Sequence, residues 1–190
     1  MNTTIVISNP DKNSFNKNIM DNVIKGIEKC GKNYSIIDLY EDKFNPVMTS
    51  EEVKLYTKGE SDDKLVKKYQ NILKESDEIV FIFPIWWNNV PAMLKGFFDK
   101  VFIKEFAFEE ENNRPKGKLN HIKKGMIITT SESDTEYIKD ELGNPIENTI
   151  IKSTLNICGI ENVKWINNNL ANDNKCDKDE FLKNIEVYFS

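Results

Sequence analysis

The chain has 190 residues, 39% of them hydrophobic and 30% charged, an ordinary globular mixture and enough chain for one domain, 1–190, with a core of its own. Its net charge of −5 argues against a nucleic-acid partner, whose phosphates require a basic face. No apolar run reaches the roughly 20 residues of a membrane span, so no transmembrane segment is expected.

The first ten residues, MNTTIVISNP, carry no basic leader region and no secretory cleavage site, which predicts a first strand and a cytoplasmic chain. Cys30, Cys158 and Cys176 are widely spaced, odd in number and without a CxxC pair, so neither a disulfide framework nor a zinc site is signalled. His121 is the only histidine; it lies in KLNHIKKG and reads as a plain surface residue.

In chain order, TTIVIS at 3–8 reads as a buried strand and 15–30 as a helix, with apolar Phe15, Ile19, Met20, Val23, Ile24 and Ile27 at helical spacing and Gly31 as its stop. A second strand is expected at 34–39, an irregular stretch to about residue 50, and helices at 51–56 and 62–74. EIVFIFPI at 78–85 is the strongest strand, closed by Pro84. Pro91 opens an apolar helix to Phe102. A polar excursion follows over 104–124, then a strand at 125–130, a helix at 145–158, a strand at 163–166 and a last helix at 179–188. Strands that alternate with helices predict right-handed βαβ units, a parallel sheet with helices on both faces.

In such α/β sheets ligands bind outside the carboxyl ends of the strands. The loops there read SNPDKNSFN (8–16), PIWWNN (84–89) and TTSESDTEY (129–137). The first lacks GxGxxG but offers Asn9, Asn13, Ser14 and Asn16 where a helix begins. Exposed helix N–H groups can hold a phosphate there; equally, Asn13 or Ser14 can simply cap the helix. The second loop sets Trp86 and Trp87 beyond the strand's proline, a wall suited to a flat heterocycle such as a flavin. Thr129, Thr130 and Ser131 of the third can cover another edge of the ring.

FPIWWNNVPAMLKGFFDKVF at 83–102 resembles the F-P-[LI]-x-W-x-x-V-P-A-x-L-K-G-[FW]-x-[DE]-[KR]-V-F signature of the flavodoxin-like NAD(P)H:quinone oxidoreductases, without a gap. NPDKNSFN resembles that family's H-x-x-x-x-S-F-N loop, TTSESDTEY its T-T-G-G-x-x-x-x-Y loop, and DLYEDKFNPVMTSEE at 38–52 its D-L-Y-x-x-x-F-x-P-V-x-[ST]-x-E stretch. The resemblance implies a flavodoxin-like three-layer sandwich with a five-stranded parallel sheet in the order 2-1-3-4-5. It implies a flavoprotein, carrying FMN or FAD and usually a homodimer, that passes a hydride from NADH or NADPH to a quinone or similar small acceptor; a ring face shared by both substrates predicts ping-pong kinetics. Ser14, Phe15 and Asn16 would hold the phosphate end of the flavin. Pro84, Ile85, Trp87 and the main chain of Trp86 and Asn88 would line its ring, with Thr129 and Thr130 beside it, and Tyr137 would face the nicotinamide or acceptor.

The departures are specific. Asn9 replaces the family's histidine, Ser131 and Glu132 replace two glycines, and Gly143 stands where longer members carry a histidine. Two other roles share the same pattern: a one-electron carrier, and a regulatory flavoprotein subunit of a potassium efflux system.

Overall fold

The computed structural model describes residues 1–171 and 175–190. Strands β1 (Asn2–Ile7), β2 (Asn33–Asp38), β3 (Glu78–Pro84), β6 (Lys124–Ser131) and β7 (Val163–Asn169) form a five-stranded parallel sheet in the order β2-β1-β3-β6-β7. Numbered among themselves, these strands run 2-1-3-4-5, the expected order. Helices α1 (Phe15–Lys29), α2 (Ser50–Tyr56), α3 (Lys64–Lys74), α4 (Ala92–Val101), α5 (Thr135–Asp140) and α6 (Lys175–Phe189) supply the outer layers, together with a π-helix over Ile146–Leu155.

Strand alternation divides the core between the two faces of the sheet. Phe81, Phe83, Ile79 and Ile127 pack with Tyr69 and Leu73 of α3 and Phe97 and Phe98 of α4. Val80, Ile82, Met126 and Ile128 pack on the opposite face with Ile19 and Val23 of α1 and Ile185 of α6. The phenylalanines around 83–102 are therefore core: Phe81 and Phe98 meet edge to face at 5.4 Å between ring centroids. Gly96 lets the connection before α2 lie against α4, since a Cβ there would come within 2.4 Å of Pro46.

Four differences from the sequence reading stand out. The polar excursion contains an antiparallel hairpin, β4 (Phe108–Glu111) and β5 (Arg114–Gly117), turning through Asn112 and Asn113 at φ +53° and +60°. Helix α5 was not expected. The helix expected over 145–158 is a π-helix: the hydroxyls of Ser153 and Thr154 and the N–H of Asn156 all donate to carbonyls five residues back. His121 is half-buried rather than a plain surface residue, its Nε2 3.0 Å from the carbonyl of Leu73. Cys158 is buried and Cys30 and Cys176 are exposed. Among the described residues no helix is long and apolar enough to cross a membrane.

Candidate functional site

The carboxyl ends of β3 and β6 open into a cavity of about 760 Å³. One wall is the 84–88 turn, and the other comprises Thr130, Ser131, Glu132 and Ser133; Ile138, Leu142 and Leu170 line the rest. The turn is a tight two-residue reversal: Trp86 and Asn89 exchange both backbone hydrogen bonds at 3.0 Å, and Trp87 and Asn88 sit at φ +47° and +56°. Trp87 is fully exposed and Trp86 is 45% exposed. A bulky residue in the left-handed region is strained, so this turn holds an indole in the open at a conformational cost. The Ile85 N–H donates to the Thr130 carbonyl at 2.8 Å and the Asn88 Nδ2 donates to the Leu142 carbonyl at 2.9 Å, tying the turn to both sides of the cavity.

The loop after β1 lies beside this cavity and is coupled to it through one side chain. Asn16 is 2% exposed, and its Oδ1 accepts from Thr130 Oγ1 at 3.2 Å and from Asn9 Nδ2 at 2.8 Å. Asn9 Oδ1 accepts from the Asp11 N–H at 2.9 Å, so Asn9 is bonded inside the protein at both ends of its amide. Asn13 is exposed and shapes the loop through its backbone N–H, which donates to Asp11 Oδ1. Ser14 occupies the N-cap of α1 but makes no capping bond, and the first turn carries no acidic residue. Ser14 Oγ and Asn16 Nδ2 are both buried without a hydrogen-bond partner. Buried polar atoms left unsatisfied cost roughly 1–3 kcal/mol each. Simple helix capping engages neither atom, and both lie at a helix N-terminus, where unpaired N–H groups favour an anion.

Phe15 packs toward α6, 6.2 Å from the Phe181 ring, and its side chain does not line the cavity. Thr129 also turns away. Its Oγ1 accepts from Trp165 Nε1 at 2.9 Å and donates to Asn167 Oδ1 at 2.7 Å. Asn167 in turn donates to Ser131 Oγ at 2.8 Å and Thr135 Oγ1 at 3.2 Å, and the Ser131 Oγ donates to the Ser133 carbonyl at 2.6 Å. Asn167 is thus the anchor of the loop that carries serine and glutamate in place of glycines. Tyr137, on α5, is 51% exposed and does not itself line the cavity, although its neighbour Ile138 does. Among the described residues no cluster of His, Cys, Asp and Glu side chains could hold a metal ion.

A family model described as "Flavodoxin-like fold" matches residues 1–188. The chain belongs to the flavodoxin-like fold family. Over 166 residues it is 30% identical to an uncharacterized NAD(P)H oxidoreductase of Haemophilus influenzae, covering 87% of this chain and 82% of that one. It is 27% identical to NAD(P)H dehydrogenase [quinone] 1 of Cavia porcellus, covering 83% of this chain and 64% of that relative, just under two thirds of its length. The solved structure of an NAD(P)H:quinone oxidoreductase from Methanothermobacter marburgensis superimposes with a TM-score of 0.90 at 21% identity, covering 100% of this chain and 97% of that one, a likeness of fold.

Within this flavodoxin-like chain the sequence reading missed Ile138, Leu142 and Leu170, which line the cavity, and Asn167, which braces it. A signal was present for the last. Three asparagines, 167–169, follow the apolar start of β7 and lie in register with Thr129, Thr130 and Ser131, at the strand ends where ligand sites form.

Proposed function

We propose that this chain is a flavin-dependent NAD(P)H oxidoreductase that delivers a hydride to a quinone or similar small acceptor. The observation that carries the proposal is the pairing of two buried, unpartnered donors at the head of α1, Ser14 Oγ and Asn16 Nδ2, with an adjoining cavity walled by Trp87. A flavin has that two-part chemistry, an anionic phosphate tail and a flat ring, and its volume suits a cavity within the usual range of roughly 300–1,000 Å³. The names of the Haemophilus influenzae and Cavia porcellus relatives support the nicotinamide and quinone assignments.

When bound, the flavin supplies two-electron hydride exchange, FMN and FAD alike. Ser14, Asn16 and the first amides of α1 hold its phosphate. The central amides of the turn, Trp87 and Asn88, lie outside the turn's own pair of bonds and are available to the polar edge of the ring, while Thr130 and Ser131 bound the opposite side. Tyr137, half-exposed and next in sequence to the lining residue Ile138, orients nicotinamide or acceptor. Both substrates use the one open mouth, so they take turns and the kinetics are ping-pong.

We further propose a homodimer formed through the face of α2, α4 and the π-helix. Releasing the cofactor from purified protein and weighing it, then mixing the holoprotein with NADH or NADPH without oxygen, tests the assignment. Bleaching of the visible absorbance by either nicotinamide is the expected result. Colourless protein with no affinity for added flavin overturns the proposal, and a yellow protein inert to both nicotinamides leaves the electron-carrier role in its place.

A further inference from the structure

We infer that Asn9 governs recognition of a phosphate ester at the head of α1 without touching it, by fixing which end of the Asn16 amide the ligand meets. The inference rests on the function proposed above, in which that ester belongs to the flavin.

An asparagine amide presents an acceptor at one end and two donors at the other, and rotation by half a turn exchanges them. Whether Asn16 attracts or repels an anion therefore depends on what fixes its rotation. Two groups reach its Oδ1: Asn9 Nδ2 at 2.8 Å and Thr130 Oγ1 at 3.2 Å. Thr130 cannot decide the matter, since a hydroxyl rotates to donate or accept as its neighbour requires. Asn9 can, because its own rotation is fixed from the other side. Its Oδ1 accepts from the Asp11 backbone N–H at 2.9 Å, and a backbone N–H only donates.

The polarity thus runs one way: from the Asp11 N–H into Asn9 Oδ1, and from Asn9 Nδ2 into Asn16 Oδ1, leaving Asn16 Nδ2 as the free donor end of the relay. That atom is buried and without a partner in the protein. Reversing Asn16 would set donor against donor at Asn9 and present an oxygen to the phosphate.

Orientation matters more here because the lysines of the loop and of the first turn of α1 are already engaged. Lys12 pairs with Glu41 at 2.6 Å, and Lys17 pairs with Asp38. The buried groups offered to a phosphate are neutral donors, Ser14 Oγ and Asn16 Nδ2, with the helix amides behind them. A histidine at this position could act alike: a neutral imidazole carries one acceptor and one donor nitrogen and can relay the Asp11 polarity in the same sense.

The test uses the full-length chain freed of flavin, titrated with FMN and with riboflavin, which keeps the ring and lacks the phosphate. Flavin fluorescence quenching gives both affinities, and their ratio isolates the phosphate end. The wild type is expected to prefer FMN. Asn9→Asp removes the donor, turns the Asn16 amide round and should reduce the FMN-to-riboflavin ratio by about 10- to 100-fold, the worth of a hydrogen bond to a charged group, with riboflavin affinity little changed. Asn9→Leu should lower the ratio without adding charge, and Asn9→His should restore it. A ratio that stays at the wild-type value in both Asn9→Asp and Asn9→Leu overturns the inference, as does a wild type that binds the two flavins equally. A wild type that binds neither flavin overturns the proposed function itself.

Discussion

Trp87 combines two properties that rarely coincide, a left-handed backbone and a fully exposed indole. An exposed ring contributes nothing to the core, so its value lies in what it meets outside the fold. The two effects separate by substitution. Trp87→Gly removes the ring and relieves the positive φ, offsetting the entropy glycine adds to the unfolded chain, so this variant should melt no lower than the wild type. Trp87→Ala removes the ring and keeps the strain. Both should bind flavin about 10-fold more weakly, in line with the loss of an aromatic contact of about 1.4 kcal/mol, as read by fluorescence titration. A variant that retains flavin as tightly as the wild type would remove Trp87 from the ring wall. Tyr137→Phe keeps the ring and deletes the hydroxyl; a fall in kcat for the acceptor half-reaction of roughly 10-fold or more is expected, with flavin affinity unchanged, by stopped-flow absorbance. The residue types at these positions were legible in the sequence, and their directions were not. Thr129 and Thr130 read as a pair, yet the Thr129 hydroxyl is spent on Trp165 and Asn167, while Thr130 and Ser131 border the cavity.

At the scale of elements, the long connection between β2 and α3 is fastened to α4 by one buried cation. Lys100, 3% exposed, lies 2.8 Å from Glu52 and 3.0 Å from Asp63, and donates to the Asn45 carbonyl at 3.0 Å. Burial pushes both carboxyls up, but hydrogen bonds from Lys100 and from backbone amides outweigh it, and both lie below the usual carboxylate range. Burial likewise pulls the Lys100 amine down, and the two carboxylates more than reverse this. Carboxyls depressed in the folded chain contribute fully above their unfolded values near roughly 4, and the contribution is lost as pH falls through the folded values below that. The raised amine contributes fully below about 10.4 and is lost as pH rises past its folded value. Lys100→Met should therefore cost about 3 kcal/mol near neutrality, by stranding two partly buried carboxylates, and the variant's melting temperature should rise, not fall, between about pH 6 and 4. A variant with the wild-type acid profile would show that the cluster contributes little. The parallel strands and their helices were legible because each buries an apolar face. The β4–β5 hairpin was hidden because, apart from half-buried Phe108, its short strands are mostly polar, joined by pairs such as Glu109 with Lys116 at 3.6 Å. Its Asn112-Asn113 turn, both at positive φ, is the one local signal the sequence offered. The π-helix was hidden because its apolar spacing resembles that of an α-helix.

At the scale of the molecule, a second, more apolar groove lies open on another face of the described residues. Met48, Val53, Tyr56, Phe98, Phe102, Phe108 and Ile157 line a groove of about 450 Å³ between α2, α4 and the π-helix, and Val53 is 52% exposed there. Of 10127 Å² of accessible surface, a standard interface removes roughly 800 Å² per partner, about a tenth, and an uncovered apolar groove is where such a contact most lowers the free energy. Sedimentation of the wild type at micromolar concentration should give a dimer. Val53→Glu with Ile157→Glu should give a folded monomer, because two charges would be buried unpaired at a self-facing contact. Neither residue lines the flavin cavity, so flavin should still bind to the monomer; if the double variant remains a dimer, the subunits meet through another face. If the monomer binds flavin but no longer oxidises NAD(P)H, the partner subunit completes the mouth beside Tyr137, and catalysis belongs to the pair while cofactor binding belongs to the single chain.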